Sequence, residues 1–296
     1  IVQGHNGHLD FKDDDIVDIP SSVFANVDSA VTISFWCYGD ENIMPFNSYI
    51  FEGRDANGYR VINCHLPWSN SRVYWDAGNN GTGSYDRIHE LANINDFSGK
   101  WNHWAFTKDV NSGEMKAFLN GELFMSGTSK TRSMAGIVKF RIGGNAAANF
   151  NGVYDGKIDE FRVWNKALDN TTIKSWMNKT IDSSHPFYSN LQAAYNFDEE
   201  SGFVANDYSV NARNGTLLGL PKWENADLSL RGFDLFTTSN RPKFTFYKGT
   251  YNSHLDSVLF LDTNYYSPVS IVETLPYVDM NVTGISKTLV DTIYGY

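Results

Sequence analysis

Three short segments gather residues able to hold a saccharide: His65-Leu66-Pro67-Trp68, Arg72-Val73-Tyr74-Trp75-Asp76 and Asp86-Arg87. Sugars lay their apolar C–H faces on aromatic rings, while carboxylates, amides and guanidinium groups hold their hydroxyls. The segments bring indole, phenol and imidazole rings and both signs of charge into two neighbouring strands and a rim loop. A structural reading competes for the same residues: Val73 and Trp75 as core, Asp76 and Arg87 as an ion pair, Trp68 as the cover of a loop. Trp36 and His103 join the candidate ligand set, because each lies on a polar and aromatic face of an alternating strand.

Catalytic patterns are harder to find. Glu199 and Glu200 are neighbours that diverge on a strand, and Asp155 and Asp159 share a face with Lys157 between them, as at a solvated edge. Serine occurs in no G-x-S-x-G elbow, and neither Cys37 nor Cys64 has metal-binding spacing. Each cysteine shares a strand face with apolar neighbours and reads as a buried thiol, with a cross-strand bridge as the alternative. A lone strand histidine is more often a satisfied group than a base.

Short paired strands must position these groups. Trp101–Phe124 shows the pattern best: His103, Ala105 and Thr107 alternate with Trp104 and Phe106, and Met115, Ala117 and Leu119 with Lys116 and Phe118. Asn111-Ser112-Gly113 and Asn120-Gly121 supply residues that tolerate positive φ, so two reversals of the chain are expected. Further strands are expected at Val31–Tyr38, Ser48–Glu52, Arg60–Leu66, Arg72–Asp76, Ile137–Gly143 and Ile158–Trp164. One helix, Thr171–Asn178, is expected after a cap at Asp169 or Asn170, with Ile173, Trp176 and Met177 on its buried side.

Trp101, His103, Ala105 and the following Phe118-Leu119-Asn120-Gly121 resemble the strand and hairpin of laminin-G-like, concanavalin-type jelly rolls. His8–Phe11 with Asp15–Ile19, Val31–Trp36 and Gly156–Leu168 (GKIDEFRVWNKAL) fit the same family. The HLPW, VYWDAG and DRI strings resemble those of such modules in secreted bacterial proteins, and LQAAYNFDEESG resembles the segment that borders them. The resemblance implies an all-β fold, a laminin-G-like jelly-roll β-sandwich over 1–231, followed by a small second β domain or linker over 232–296. It also implies an accessory place in a secreted, periplasmic or cell-surface bacterial protein of the peptide N-glycosidase-like kind. Glycosidases sharing the fold carry an E-x-D-x-x-E strand, which this chain lacks.

Folds of this type often hold Ca²⁺ at the edge of the roll. Asp159 shares an alternating face with Phe161 and Val163 and is expected to point inward, where a carboxylate needs donors or a cation. Asp15, or Asp13 beside it, is the candidate second ligand, since hard oxygens suit that ion. The alternative is a carboxylate accepting N–H bonds from its own turn, and no calcium-loop signature is present.

The 296 residues suffice for a large β domain and a smaller unit. A net charge of −10 without a basic stripe argues against nucleic acid, and no apolar run reaches membrane-spanning length. Five Asn-x-Ser/Thr triplets carry little weight in an asparagine-rich chain. Together these residues point to a non-catalytic glycan-binding module of modest affinity, with neighbouring domains of the parent chain as further partners. The alternative is a protein-interaction or spacer module that positions a catalytic neighbour.

Overall fold

The computed structural model describes residues 7–147 and 152–225. Their strands, in chain order, are β1 (Gly7–Phe11), β2 (Ile16–Ile19), β3 (Ala30–Gly39), β4 (Phe51–Arg54), β5 (Arg60–His65), β6 (Arg72–Ala77), β7 (Asp86–Leu91) and β8 (Asn102–Asp109). There follow β9 (Glu114–Leu119), β10 (Glu122–Gly127), β11 (Lys139–Ile142), β12 (Gly156–Trp164), β13 (Leu191–Tyr195), β14 (Val204–Ala205), β15 (Gly215–Leu218) and β16 (Lys222–Asn225). One α-helix, α1 (Asn170–Trp176), interrupts them. The expected jelly-roll sandwich is what forms. The expectation of a second β unit over 232–296 lies outside the described residues.

Two antiparallel sheets make the sandwich. The first runs β10-β9-β8-β3-β12-β1-β16, with β13 also paired to β12; the second runs β14-β15-β2-β11-β4-β5-β6-β7. Asn120 and Gly121, both at positive φ, make the two-residue turn from β9 to β10. That geometry follows the right-handed twist of the strands it joins.

Alternation sends one set of side chains from each sheet into a shared aromatic core. Phe35 stacks on Phe161 at 5.6 Å and meets Phe51 of the other sheet edge-on at 6.1 Å. Trp75 packs on Phe106 at 5.7 Å, fully buried, and donates its indole N–H to the Thr107 carbonyl at 3.1 Å. Cys37 and Cys64 are buried free thiols in this core.

Part of the first sheet's outer face, around Trp36, His103, Ala105 and Trp164, is covered by the segment around α1. Asp169 caps the helix by accepting from Thr172 N, and Thr32 Oγ accepts from Leu168 N at 2.9 Å. At the other end, Trp36 donates to the Met177 carbonyl, and Arg162 donates to the carbonyls of Trp176 and Lys179. These donors satisfy carbonyl groups that a helix end leaves orphaned, so they fasten α1 to the sheet. Among the described residues no helix is long and apolar enough to cross a membrane.

A one-residue bulge in β12 changes a facing that strict alternation predicts. Asp159 pairs with Trp36 and Arg162 with Ser34, so two residues of β12 oppose Phe35, and Glu160 takes φ 52°. Phe161 therefore points into the core while Asp159 shares the outer face with Arg162. Asp159 is buried, as expected, but that extra residue places it on the sheet's outer side rather than with Phe161 in the core.

Candidate functional site

On the second sheet the outward residues form one row across seven strands: Thr216, Asp18, Arg141, Glu52, Asn63, Asp76 and Arg87. From Asp18 onward neighbouring members carry opposite charge or an amide, so the row is a ladder of polar partners. Glu52 and Asp76 have no exposed surface, yet every carboxylate oxygen has a donor. Glu52 accepts from Arg54 at 2.6 Å, Arg60 at 3.1 Å and the Ala146 N–H at 3.0 Å. Asp76 accepts both arms of Arg87 at 2.5 and 2.8 Å, Arg60 at 2.9 Å and Asn63 at 3.3 Å. A buried charge is tolerable when it is paired in this way, and the pairing fixes the guanidinium planes.

Those planes carry the next layer. Arg87 lies over Tyr74 at 4.7 Å and Tyr85 at 5.1 Å, and Arg60 lies over Tyr85 at 5.2 Å and Tyr49 at 5.7 Å. Tyr49 meets His65 at 4.6 Å, and His65 meets Tyr74 at 6.0 Å, which closes a circuit of six side chains. Trp68 extends it from His65 at 4.3 Å, and His89 extends it from Tyr74 at 5.2 Å. Cation–π and edge contacts of this kind hold rings in place while leaving parts of their faces to solvent. Tyr49, Trp68, Tyr74 and Tyr85 are half-buried, and His89 is exposed.

Local geometry sets the rim. The turn between β5 and β6 closes by Trp68 N–H to the Arg72 carbonyl at 2.9 Å and Ser71 N–H to the Trp68 carbonyl at 2.8 Å. Asn70 donates to the Tyr74 hydroxyl at 2.8 Å, and Arg72 reaches His89 Nδ1 at 3.3 Å. His65 Nδ1–H donates to the Ser48 carbonyl at 2.7 Å, which leaves Nε2 as the ring's acceptor. Burial, with Arg60 and Arg87 nearby, pushes the His65 pKa down to about 4 despite that hydrogen bond, so the ring is neutral near pH 7.

Of the residues singled out in the sequence, His65, Trp68, Arg72, Tyr74, Asp76 and Arg87 come together here, with Asp76 beneath the rings as their anchor. Four others do not. Trp75 belongs to the core. Asp86 alternates away from Arg87 and binds Lys108 at 2.8 Å and the Arg132 N–H at 2.9 Å. Trp36 and His103 pack against each other on the other sheet, nearly buried beside α1, and burial takes the His103 pKa down to about 3. Tyr49, Glu52, Arg60, Tyr85 and His89 belong to the site and were not singled out. Glu52 and Arg60 could have been found from strands in phase with Asp76; Tyr49 falls in the strand expected at Ser48–Glu52 but precedes the observed one, Phe51–Arg54, and Tyr85 lies in a loop.

The proposed metal pair does not converge. Asp15 accepts from Lys12 N at 3.0 Å and Leu220 N at 2.7 Å, the turn reading of that residue. Asp159 stands level with the opposite end of β1, since its neighbour Ile158 pairs with Leu9. Among the described residues no group of three or more metal-ligating side chains is placed to hold an ion. Asp15 and Asp159 are therefore not placed to share one ion.

A family model, the concanavalin A-like lectin/glucanases superfamily, matches residues 11–174. No curated protein matches the chain. Among solved structures, a candidate carbohydrate binding protein from Bacteroides ovatus is 20% identical with a TM-score of 0.53, covering 75% of this chain and 60% of that one. A heptameric SAP-like pentraxin from Limulus polyphemus is 15% identical with a TM-score of 0.47, covering 77% of this chain and 99% of that one. The chain thus spans about 60% of the length of the Bacteroides protein.

Proposed function

The chain belongs to the concanavalin A-like lectin/glucanases superfamily, and from that premise we propose that it is a non-catalytic glycan-binding module. One observation carries the reading: half-buried rings on the second sheet's outer face are clamped by guanidinium groups that buried carboxylates hold from below. Rings fixed in this way are pre-organised, so a sugar can stack on them without a large ordering cost. The Tyr74 hydroxyl, the Asn70 amide and the guanidinium edges then serve its hydroxyl groups. Glu52 and Asp76 are fully occupied by donors, so this site offers no acid and base pair of the kind that cleaves a glycosidic bond. The module would serve a larger secreted or surface protein by holding it on a glycan.

Calorimetric titration of the chain with a panel of plant, microbial and animal oligosaccharides tests this. Saturable binding is expected, reduced about tenfold or more by Trp68→Ala or Tyr74→Ala, a loss of about 1.4 kcal/mol. Chemical denaturation of both variants should show little change, because each ring lies on the surface of the sandwich. A stability loss of several kcal/mol with binding intact would overturn the assignment and favour a packing role for these rings.

A further inference from the structure

The site's charge differs in sign from that of the chain. On this outer face the guanidinium groups of Arg54, Arg60, Arg72, Arg87 and Arg141 and the Lys139 ammonium stand against the carboxylates of Asp18, Glu52 and Asp76, a surplus of three positive charges. The whole chain carries −10. Asp86 and Glu90 of β7 alternate away from Arg87 and His89, and Asp86 is engaged by Lys108. One surplus charge is shared among four arginines and three acids, one is Lys139 across from Arg54, and one is Arg72 beside the rings. Arg54, Arg60, Arg87 and Arg141 each pair with an acid, whereas among the described residues Arg72 has no carboxylate partner and touches His89 instead. Arg72 and Tyr74 are neighbours on one strand face; Tyr74 lies across from the exposed His89, and Arg72, across from Leu91, reaches His89 diagonally at the edge of the ring circuit.

We propose that the site selects anionic glycans, saccharides that carry a carboxylate or a sulfate, with Arg72 as the specificity-determining residue and His89 beside it. This rests on the glycan-binding reading above. A planar guanidinium matches carboxylate and sulfate oxygens in a way that a neutral hydroxyl does not, and it is left unneutralised only where the rings are open. The paired arginines orient the stacking surface. Arg72 reads the charge.

Retention of the full chain on immobilised polygalacturonate, a sulfated galactan, neutral galactan and poly-glutamate, at 50 and 500 mM NaCl, tests the proposal. Both acidic polysaccharides should be bound about tenfold more tightly than neutral galactan at low salt, with the difference shrinking at high salt. Arg72→Gln should abolish that preference. Preference for only one of the acidic polysaccharides would identify carboxylate or sulfate as the recognised group. Equal binding of neutral and acidic glycans, or a preference that survives Arg72→Gln, would overturn charge selection while leaving the glycan site standing. Equal retention of poly-glutamate would also overturn it, because a surface that counts only charge needs no rings. Failure to retain any polysaccharide would remove both readings.

Discussion

Asp76 shows how a buried charge can act on a surface it does not reach. Its two oxygens hold Arg87 bidentately and Arg60 from the other side, and those two cations set the tilt of Tyr49, Tyr74 and Tyr85. Asp76→Asn keeps the shape but removes the charge that balances two guanidinium groups. It should cost about 3–5 kcal/mol in urea denaturation, the usual penalty for breaking one side of a buried pair. An unchanged denaturation midpoint would mean that Arg60 and Arg87 find other partners. The sequence made Asp76 and Arg87 legible both as ligand contacts and as an ion pair. The structure unites these roles: the pair is structural, and what it supports is the binding surface. Tyr85 could not be read in advance, since it comes to the site through the path of a loop, and Tyr49, although inside the strand expected at Ser48–Glu52, precedes the observed β4 and so escapes that strand's period.

At the scale of elements, alternation gave most of the strands, though not β7, whose Asp86-Arg87 reads as a rim loop, and local patterns gave the Asn120-Gly121 turn and the helix cap at Asp169. It failed where a single extra residue intervenes. The bulge at Glu160 turns Asp159 outward, and no period-two pattern signals it. It also left open what α1 covers. Ile173 marks an apolar side of that helix, but only the hydrogen bonds from Trp36 and Arg162 show that it covers part of the first sheet. The two outer faces are therefore unequal, one covered in part by α1 and one bearing the rings. Asp169→Ala removes the capping bond to Thr172 N at 2.7 Å and should cost about 1 kcal/mol. Hydrogen exchange should show faster opening around α1 with β5–β7 unchanged. Loss of glycan binding in that variant would contradict the separation of the two faces.

Over the whole molecule, burial keeps several imidazoles neutral. Burial lowers the pKa of His8, His65 and His185 to about 4 and of His103 to about 3. The unfolded chain binds protons at these rings below about pH 6.5, whereas the folded chain does so only near the lowered values. Their contribution is complete above pH 6.5 and is lost as pH falls toward 4. By pH 5, His103 alone should cost about 2 kcal/mol, at about 1.4 kcal/mol per pH unit. Urea midpoints should fall steadily from pH 7 to pH 5, with less of that fall in His103→Asn. A flat profile would show that the imidazoles are protonated in place. The jelly-roll architecture could be read from the sequence because strand pattern and turn residues agree over most described elements; Asp86-Arg87, expected in a rim loop, instead begins strand β7, and the strand expected at Ser48–Glu52 forms at Phe51–Arg54. Which face would stay open could not be read, since that depends on where α1 returns.

The open face is the claim on which the functional reading stands, and tryptophan indole N–H signals during a glycan titration by NMR report on it directly. The Trp68 signal, assigned through Trp68→Phe, should move saturably while those of Trp36, Trp75 and Trp104 stay fixed. Movement of Trp36 with Trp68 unmoved would put the ligand beneath α1 and contradict a site on the second sheet.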